Sequence, residues 1–131
     1  MYLIDTNTCI FLKNRKPVHV LEKLREVLKQ DVFLSSVAVA EMQFGVYNSQ
    51  SIEKNRISLT EFLAPFQIID FDDRDAECFG RIRADLKRRG ELIGPYDMLI
   101  AAQAVARKLI LVTNNTKEFT RVPEVVLEDW K

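Results

Sequence analysis

Short apolar runs alternate with longer amphipathic stretches along the chain, the pattern of an α/β protein built on a parallel sheet. Tyr2-Leu3-Ile4 reads as a strand of the buried kind, Val32-Phe33-Leu34, Gln67-Ile68-Ile69 and Leu109-Ile110-Leu111-Val112 as further strands, and the tail from Val125 to Trp130 as an edge strand. Between them the spacing predicts helices. One spans Val18 to Gln30, with Leu21, Leu24 and Leu28 on one face; the next runs from a cap at Ser36 to about Tyr47. Ser51 to about Phe66 follows, with Ile52, Leu59, Phe62, Leu63 and Phe66 apolar. A long helix from Asp73 to Arg89 is stopped by Gly90 as a left-handed cap. Pro95 suits the first position of a helix reaching about Arg107. No repeat or linker interrupts residues 1–131, so one domain is expected. In an open parallel sheet the ligand crevice lies beyond the carboxyl ends of the strands, which directs attention to the residues just after each apolar run.

Composition narrows the chemistry. A chain of 131 residues is long enough to bury roughly 68–70% of its unfolded surface. No apolar run approaches the ~18 residues of a membrane span, and Met1-Tyr2-Leu3-Ile4-Asp5 lacks the features of a signal peptide, so a cytoplasmic protein is expected. Lys and Arg number 19 and so do Asp and Glu, which argues against coating nucleic acid by bulk charge. It leaves room for an enzyme that gathers carboxylates in one crevice. The single histidine, His19, excludes a two-histidine ribonuclease mechanism, and no GxSxG motif supports a serine triad. Cys9 and Cys78 have no CxxC spacing and read as buried free thiols. Catalysis must then rest on carboxylates, lysines or a metal.

Four segments supply candidates. Asp5 ends the first strand, where it either caps the next helix or faces the crevice. Glu41 has Val37, Ala38, Phe44 and Gly45 three and four residues away, a face that tends toward burial. A buried carboxylate needs a cationic partner or a metal, and the spacing from Ser36 does not fit a capping box. Asp97 is the third residue of the helix opened by Pro95, where the dipole favours an anion; that helix is apolar nearly all round, so its start opens into the protein. After the last clear strand, Thr113-Asn114-Asn115-Thr116-Lys117-Glu118-Phe119 reads as a turn and cap or as a source of Asn115 and Glu118 oxygens. An all-oxygen set suits Mg²⁺ or Mn²⁺. Such a site would hydrolyse a phosphodiester to a 5′-phosphate and a 3′-hydroxyl.

In their order and spacing, Asp5-Thr6-Asn7, Glu41 with Gly45, Gly94-Pro95-Tyr96-Asp97 and Leu111-Val112-Thr113-Asn114-Asn115 through Glu118-Phe119 resemble the PIN-domain toxins of the VapC type, over essentially the whole chain. The resemblance implies an α/β/α sandwich around a central, mostly parallel sheet and an Mg²⁺- or Mn²⁺-dependent endoribonuclease. It also implies homodimers, a cognate VapB-type antitoxin, and an RNA substrate that in similar members is the initiator tRNA anticodon loop. Asp5, Glu41 and Asp97 match the marked acidic positions and are expected to bind metal and act in catalysis. The fourth position is shared between Asn115, expected to orient water or the scissile phosphate, and Glu118, expected to bind metal through water. Thr6, Asn7 and Thr113 would support these residues. Arg81, Arg83, Lys87 and Arg88, in the most basic stretch, are either a solvated helix end or contacts to RNA phosphates.

Three rivals make different demands. A receiver-like Mg²⁺-binding signalling domain would use Asp70 as phospho-acceptor, but it wants paired acids after the first strand and a lysine after the last. A haloacid-dehalogenase-type phosphatase wants Asp-x-Asp where Asp5-Thr6-Asn7 stands. A plain interaction domain predicts that neutralising Glu41 is harmless.

Overall fold

The computed structural model describes residues 1–14, 18–27 and 32–130. Five strands form one all-parallel sheet: β1 (Tyr2–Ile4), β2 (Val32–Ser35), β3 (Gln67–Ile69), β4 (Ile110–Val112) and β5 (Val126–Glu128). Their order is β3-β2-β1-β4-β5. The central strands are the continuous apolar runs, because both of their faces are covered; Leu3, Ile4, Leu34, Leu111 and Val112 are fully buried. Register places Ile4 beside Leu34 on one side and Val112 on the other. The outer strands expose Ile68 and Val126, as edges do.

Seven helices are described: α1 (Thr6–Lys13), α2 (Val18–Val27), α3 (Ser36–Tyr47), α4 (Ile52–Leu63), α5 (Asp73–Arg88), α6 (Pro95–Arg107) and α7 (Thr116–Phe119). Leu3 and Leu111 face α5 and α6, where Cys78, Ile82, Leu86, Met98 and Ala101 complete one core. Ile4, Leu34 and Val112 face the other way, against Leu12, Leu24, Met42 and Leu59 from α1, α2, α3 and α4. This is the expected α/β/α sandwich. Both cysteines are buried free thiols. No helix among the described residues is long and apolar enough to cross a membrane.

Several boundaries move. The spacing does not single out α1 as an element, although Asp5 suits its cap. Ser35, not Ser36, caps α3: its Oγ accepts from the Val37 amide at 3.1 Å. Ser36 Oγ instead accepts from the Phe71 amide at 3.2 Å and ties α3 to the end of β3. Helix α4 stops at Leu63 rather than near Phe66. The expected continuation of α2 through Leu28 to Gln30 lies outside the described residues. Gly90 has φ 67° as expected, whereas the left-handed Lys108, φ 55°, at the end of α6 carries no glycine signal.

The strand order fixes where chemistry can occur. The chain builds outward from β1 to β2 and β3, then returns to β4 on the other side of β1, so the switch point lies between β1 and β4. The same order removes the receiver reading. Such a domain seats β3 beside β1, whereas here β3 is an edge strand and Asp70 is exposed.

Candidate active site

At the switch point the sheet ladder continues one residue past each strand. The Asp5 amide donates to Val112 O at 3.0 Å and the Thr113 amide to Glu128 O at 3.0 Å. Asp5 and Thr113 are therefore fixed by backbone before their side chains act. Asp5 Oδ1 accepts from the Thr8 amide at 2.8 Å, and Oδ2 accepts from Thr113 Oγ1 at 2.6 Å. The cap reading of Asp5 is met by one oxygen, which starts α1, while the other is held from the β4 side by Thr113. Burial raises the Asp5 pKa, and the hydrogen bonds from Thr113 and Thr8 oppose that rise.

The network continues through the turn after β4. Thr113 Oγ1 accepts from the Asn115 amide at 2.9 Å, and Asn115 Nδ2 donates to Glu118 Oε2 at 3.1 Å. On the opposite side Thr6 Oγ1 donates to Glu41 Oε1 at 2.7 Å, joining α1 to α3. Glu41 is only half-buried, because Phe44 and Gly45, counted from sequence as a covering apolar face, are exposed. It lies between two depressions. One, of about 260 Å³, runs past Thr6, Lys13, Met42 and Leu59; the other, of about 400 Å³, is bounded by Ala40, Phe44 and Tyr96.

Asp97 completes the set. It occupies the third position of α6, with Gly94 as cap and Pro95 first. A Cβ built on Gly94 would stand 3.5 Å from the Asp97 carboxylate, ordinary contact. Burial first, and then the charges of Asp5, Glu118 and Glu41, together push the Asp97 pKa up to about 6. Four carboxylates from α1's cap, α3, α6 and α7 therefore share one electrostatic neighbourhood. Among the described residues none of the four forms an ion pair with Lys, Arg or His. Nor, among those residues, are three His, Cys, Asp or Glu side chains gathered tightly enough to cage an ion as they stand. The crevice is thus a loose acidic set of oxygen donors with its charge unneutralised.

Other expected site residues fall outside this set. Asn7 is exposed and takes part in none of the side-chain hydrogen bonds among the described residues. Arg81 is ion-paired with Glu124 and touches Cys78 Sγ, and Arg83 lies over the Phe79 ring at 6.0 Å. Lys87 and Arg88 are exposed in the last turn of α5, ahead of the loop that leads to Pro95. The sequence reasoning missed the exposure of Phe44 and Tyr96.

Comparison with known proteins agrees with this geometry. A family model described as PIN domain matches residues 2–125. The chain is 39% identical over 131 residues to "Ribonuclease VapC2" of Rickettsia felis, covering 99% of this chain and 98% of that protein. It is 38% identical over 129 residues to "tRNA(fMet)-specific endonuclease VapC" of Salmonella typhimurium, covering 98% and 97%. Among solved structures, DNA-bound VapBC from Salmonella typhimurium contains a chain that matches with a TM-score of 0.94 at 38% identity, over 99% of this chain and 98% of that one.

Proposed function

The chain belongs to the PIN-domain family, and from that premise we propose that this ribonuclease is the toxin of a toxin–antitoxin pair and cuts initiator tRNA in its anticodon loop, using Mg²⁺ or Mn²⁺. The observation that carries the reading is the unneutralised crevice: Asp97 is raised to about 6 by burial and by Asp5, Glu118 and Glu41. Like charges held together without a cation are an electrostatic fault in a structural site and a requirement in a cation-binding one. The donors are all oxygen, which fits a hard divalent ion. Asp5, Glu41 and Asp97 would hold it, with Glu118 behind them. When bound, it supplies Lewis acidity toward the phosphodiester and lowers the pKa of water.

The chain's own residues do the positioning. Thr113 and the Thr8 amide hold both oxygens of Asp5, so that side chain is set before substrate arrives. Thr6 does the same for one oxygen of Glu41. Asn115 gives its N–H to Glu118, which leaves its carbonyl oxygen as the end it can offer to water or to a donor on the RNA. Hydrolysis adds water across the P–O3′ bond, leaving a 5′-phosphate and a proton on O3′.

The relatives include VapBC complexes, and we extend to this chain a VapB-type antitoxin and a homodimer in the cytoplasm. An antitoxin arginine placed among the carboxylates would neutralise them with a bidentate contact. The test is cleavage of initiator tRNA by purified protein. Cutting should require Mg²⁺ or Mn²⁺, stop with chelator, leave 5′-phosphate ends and vanish in Asp5→Asn. A folded wild-type protein that cuts no tRNA with either ion would overturn the reading.

A further inference from the structure

Two aromatic rings flank the acidic crevice and are left open to solvent. Phe44 is 69% exposed on α3 and Tyr96 is 57% exposed at the start of α6. Each sits beside an acid: Phe44 one turn after Glu41, Tyr96 immediately before Asp97. Together with Ala40 and Glu41 they bound the depression of about 400 Å³, within the size range of small-ligand sites. Among the described residues the ring pairs are Tyr2 with Trp130 and Phe62 with Phe66, so neither Phe44 nor Tyr96 is stacked on another ring. Ala40, one turn before Phe44, contributes only a methyl group and leaves the space open.

We propose that Phe44 and Tyr96 hold, by stacking, a splayed-out base of the RNA next to the phosphate being cut. The inference rests on the ribonuclease reading and adds a specificity-determining element to it. Open rings beside a phosphodiesterase site suit nucleobases, whose faces stack on aromatic side chains in single-stranded loops. Glu41 on the rim repels phosphate, so the depression takes a base rather than backbone, while the phosphate is drawn to the cation-binding side.

The probe is a synthetic anticodon stem-loop of initiator tRNA. Phe44→Ala and Tyr96→Leu should raise KM by roughly five- to a hundredfold, the range for one lost base–aromatic stack, with a much smaller change in kcat, because binding shared by ground and transition states is removed. Phe44→Trp should restore KM. Ala40→Leu should raise it by filling the space with both rings intact. Tyr47→Ala, an exposed ring on the same helix outside the depression, should change neither constant. One abasic substitution in the loop should weaken wild type by the factor that Phe44→Ala does, and add nothing in that variant. Anisotropy with labelled stem-loop and Asp5→Asn protein reads the same contact without catalysis, so failure to cut and failure to stack are told apart. Unchanged KM and affinity in folded Phe44→Ala would overturn the proposal. So would a sedimentation result in which Phe44→Ala splits a dimer, for the surface would then belong to a second copy.

Discussion

Helix α6 carries an acidic cluster at each end, and the two are built on opposite principles. At its C-terminal end, fully buried Asp75 accepts from Arg107 Nε at 3.3 Å and Nη2 at 3.1 Å, and from Gln103 Nε2 at 3.3 Å. Its Oδ2 also accepts from the Asp72 amide at 2.9 Å in a capping box. Arg107 reaches Asp72 as well, at 3.2 Å, and Asp70 O at 2.9 Å. Every charge there has an opposite charge or a donor, and the cluster fastens α6 to α5 and to the end of β3. At the N-terminal end Asp97 has only like charges for company. Burial alone therefore does not separate a structural acid from a functional one. Compensation does: a compensated buried carboxylate holds the fold, and an uncompensated set stores repulsion that a cation can relieve.

The sharpest break between the two clusters is in turnover. Asp5→Asn should lower RNA cleavage by on the order of a thousandfold or more, the scale for one member of a cooperating set. Asp75→Asn should leave cleavage per folded molecule close to wild type. Single-turnover assays normalised to folded protein compare them directly. Equal losses in both variants would erase the distinction.

Stability should divide them the other way. Asp75→Asn strips a buried partner from Arg107 and Gln103 and should cost about 3 kcal/mol, the low end for breaking a buried pair. Urea unfolding at pH 7 measures it. A loss below half of that would mean Arg107 is content with Asp72 and solvent.

How far each cluster could be read from sequence follows from how local its logic is. Helix α6 and β4 are legible because Pro95 and unbroken apolar runs mark them within a few residues. Asp5 and Asp97 are legible because each sits at a strand or helix end, and Glu41 because it is a lone acid in the mostly apolar middle of α3. Asp5 invited a choice between cap and crevice, yet its two oxygens are separately engaged, one by the Thr8 amide and one by Thr113. Glu41 misled because periodicity records that Phe44 is apolar, not whether anything covers it. The Asp75 cluster was illegible: its partners Gln103 and Arg107 are 28 and 32 residues away, and Asp73-Arg74-Asp75 looks like any acidic helix start. Arg81 looked like a free cation for the same reason, since Glu124 lies 43 residues on.

A smaller effect sharpens the crevice itself. Asn115 and Glu118 are hydrogen-bonded to each other, so they should act as a unit with two readouts. Glu118→Gln should raise the Mg²⁺ concentration for half-maximal cleavage by roughly tenfold, as loss of a supporting ligand does. Asn115→Ala should lower turnover with little change in that concentration. A Mg²⁺ titration of both variants decides; the reverse pattern would exchange their roles.

The smallest effect is on the stability of the crevice in the absence of metal, and its sign is the test. Asp97 has a folded pKa of about 6 against the ordinary aspartate value of 3.8. Below about 3.8 the carboxyl is protonated both folded and unfolded, and contributes no difference. Between 3.8 and about 6 the folded chain binds the proton and the unfolded chain does not, so stability falls as pH rises. Above about 6 both forms are ionised and the whole penalty is present. The dipole of α6 favours the anion at this position, yet the raised value means that burial and the neighbouring carboxylates outweigh it. Asp97→Asn should therefore melt higher than wild type at pH 7, by a few degrees at most and about 1 kcal/mol or less, because the group is half-exposed and solvent screens it. The gain should shrink as pH drops through 6 and disappear near pH 4. Adding Mg²⁺ at pH 7 should reverse the order, since ligand binding stabilises the wild type that can hold the ion and not the variant that cannot. A variant that melts lower than wild type at pH 7 without metal would place Asp97 with Asp75, among the acids that hold the fold.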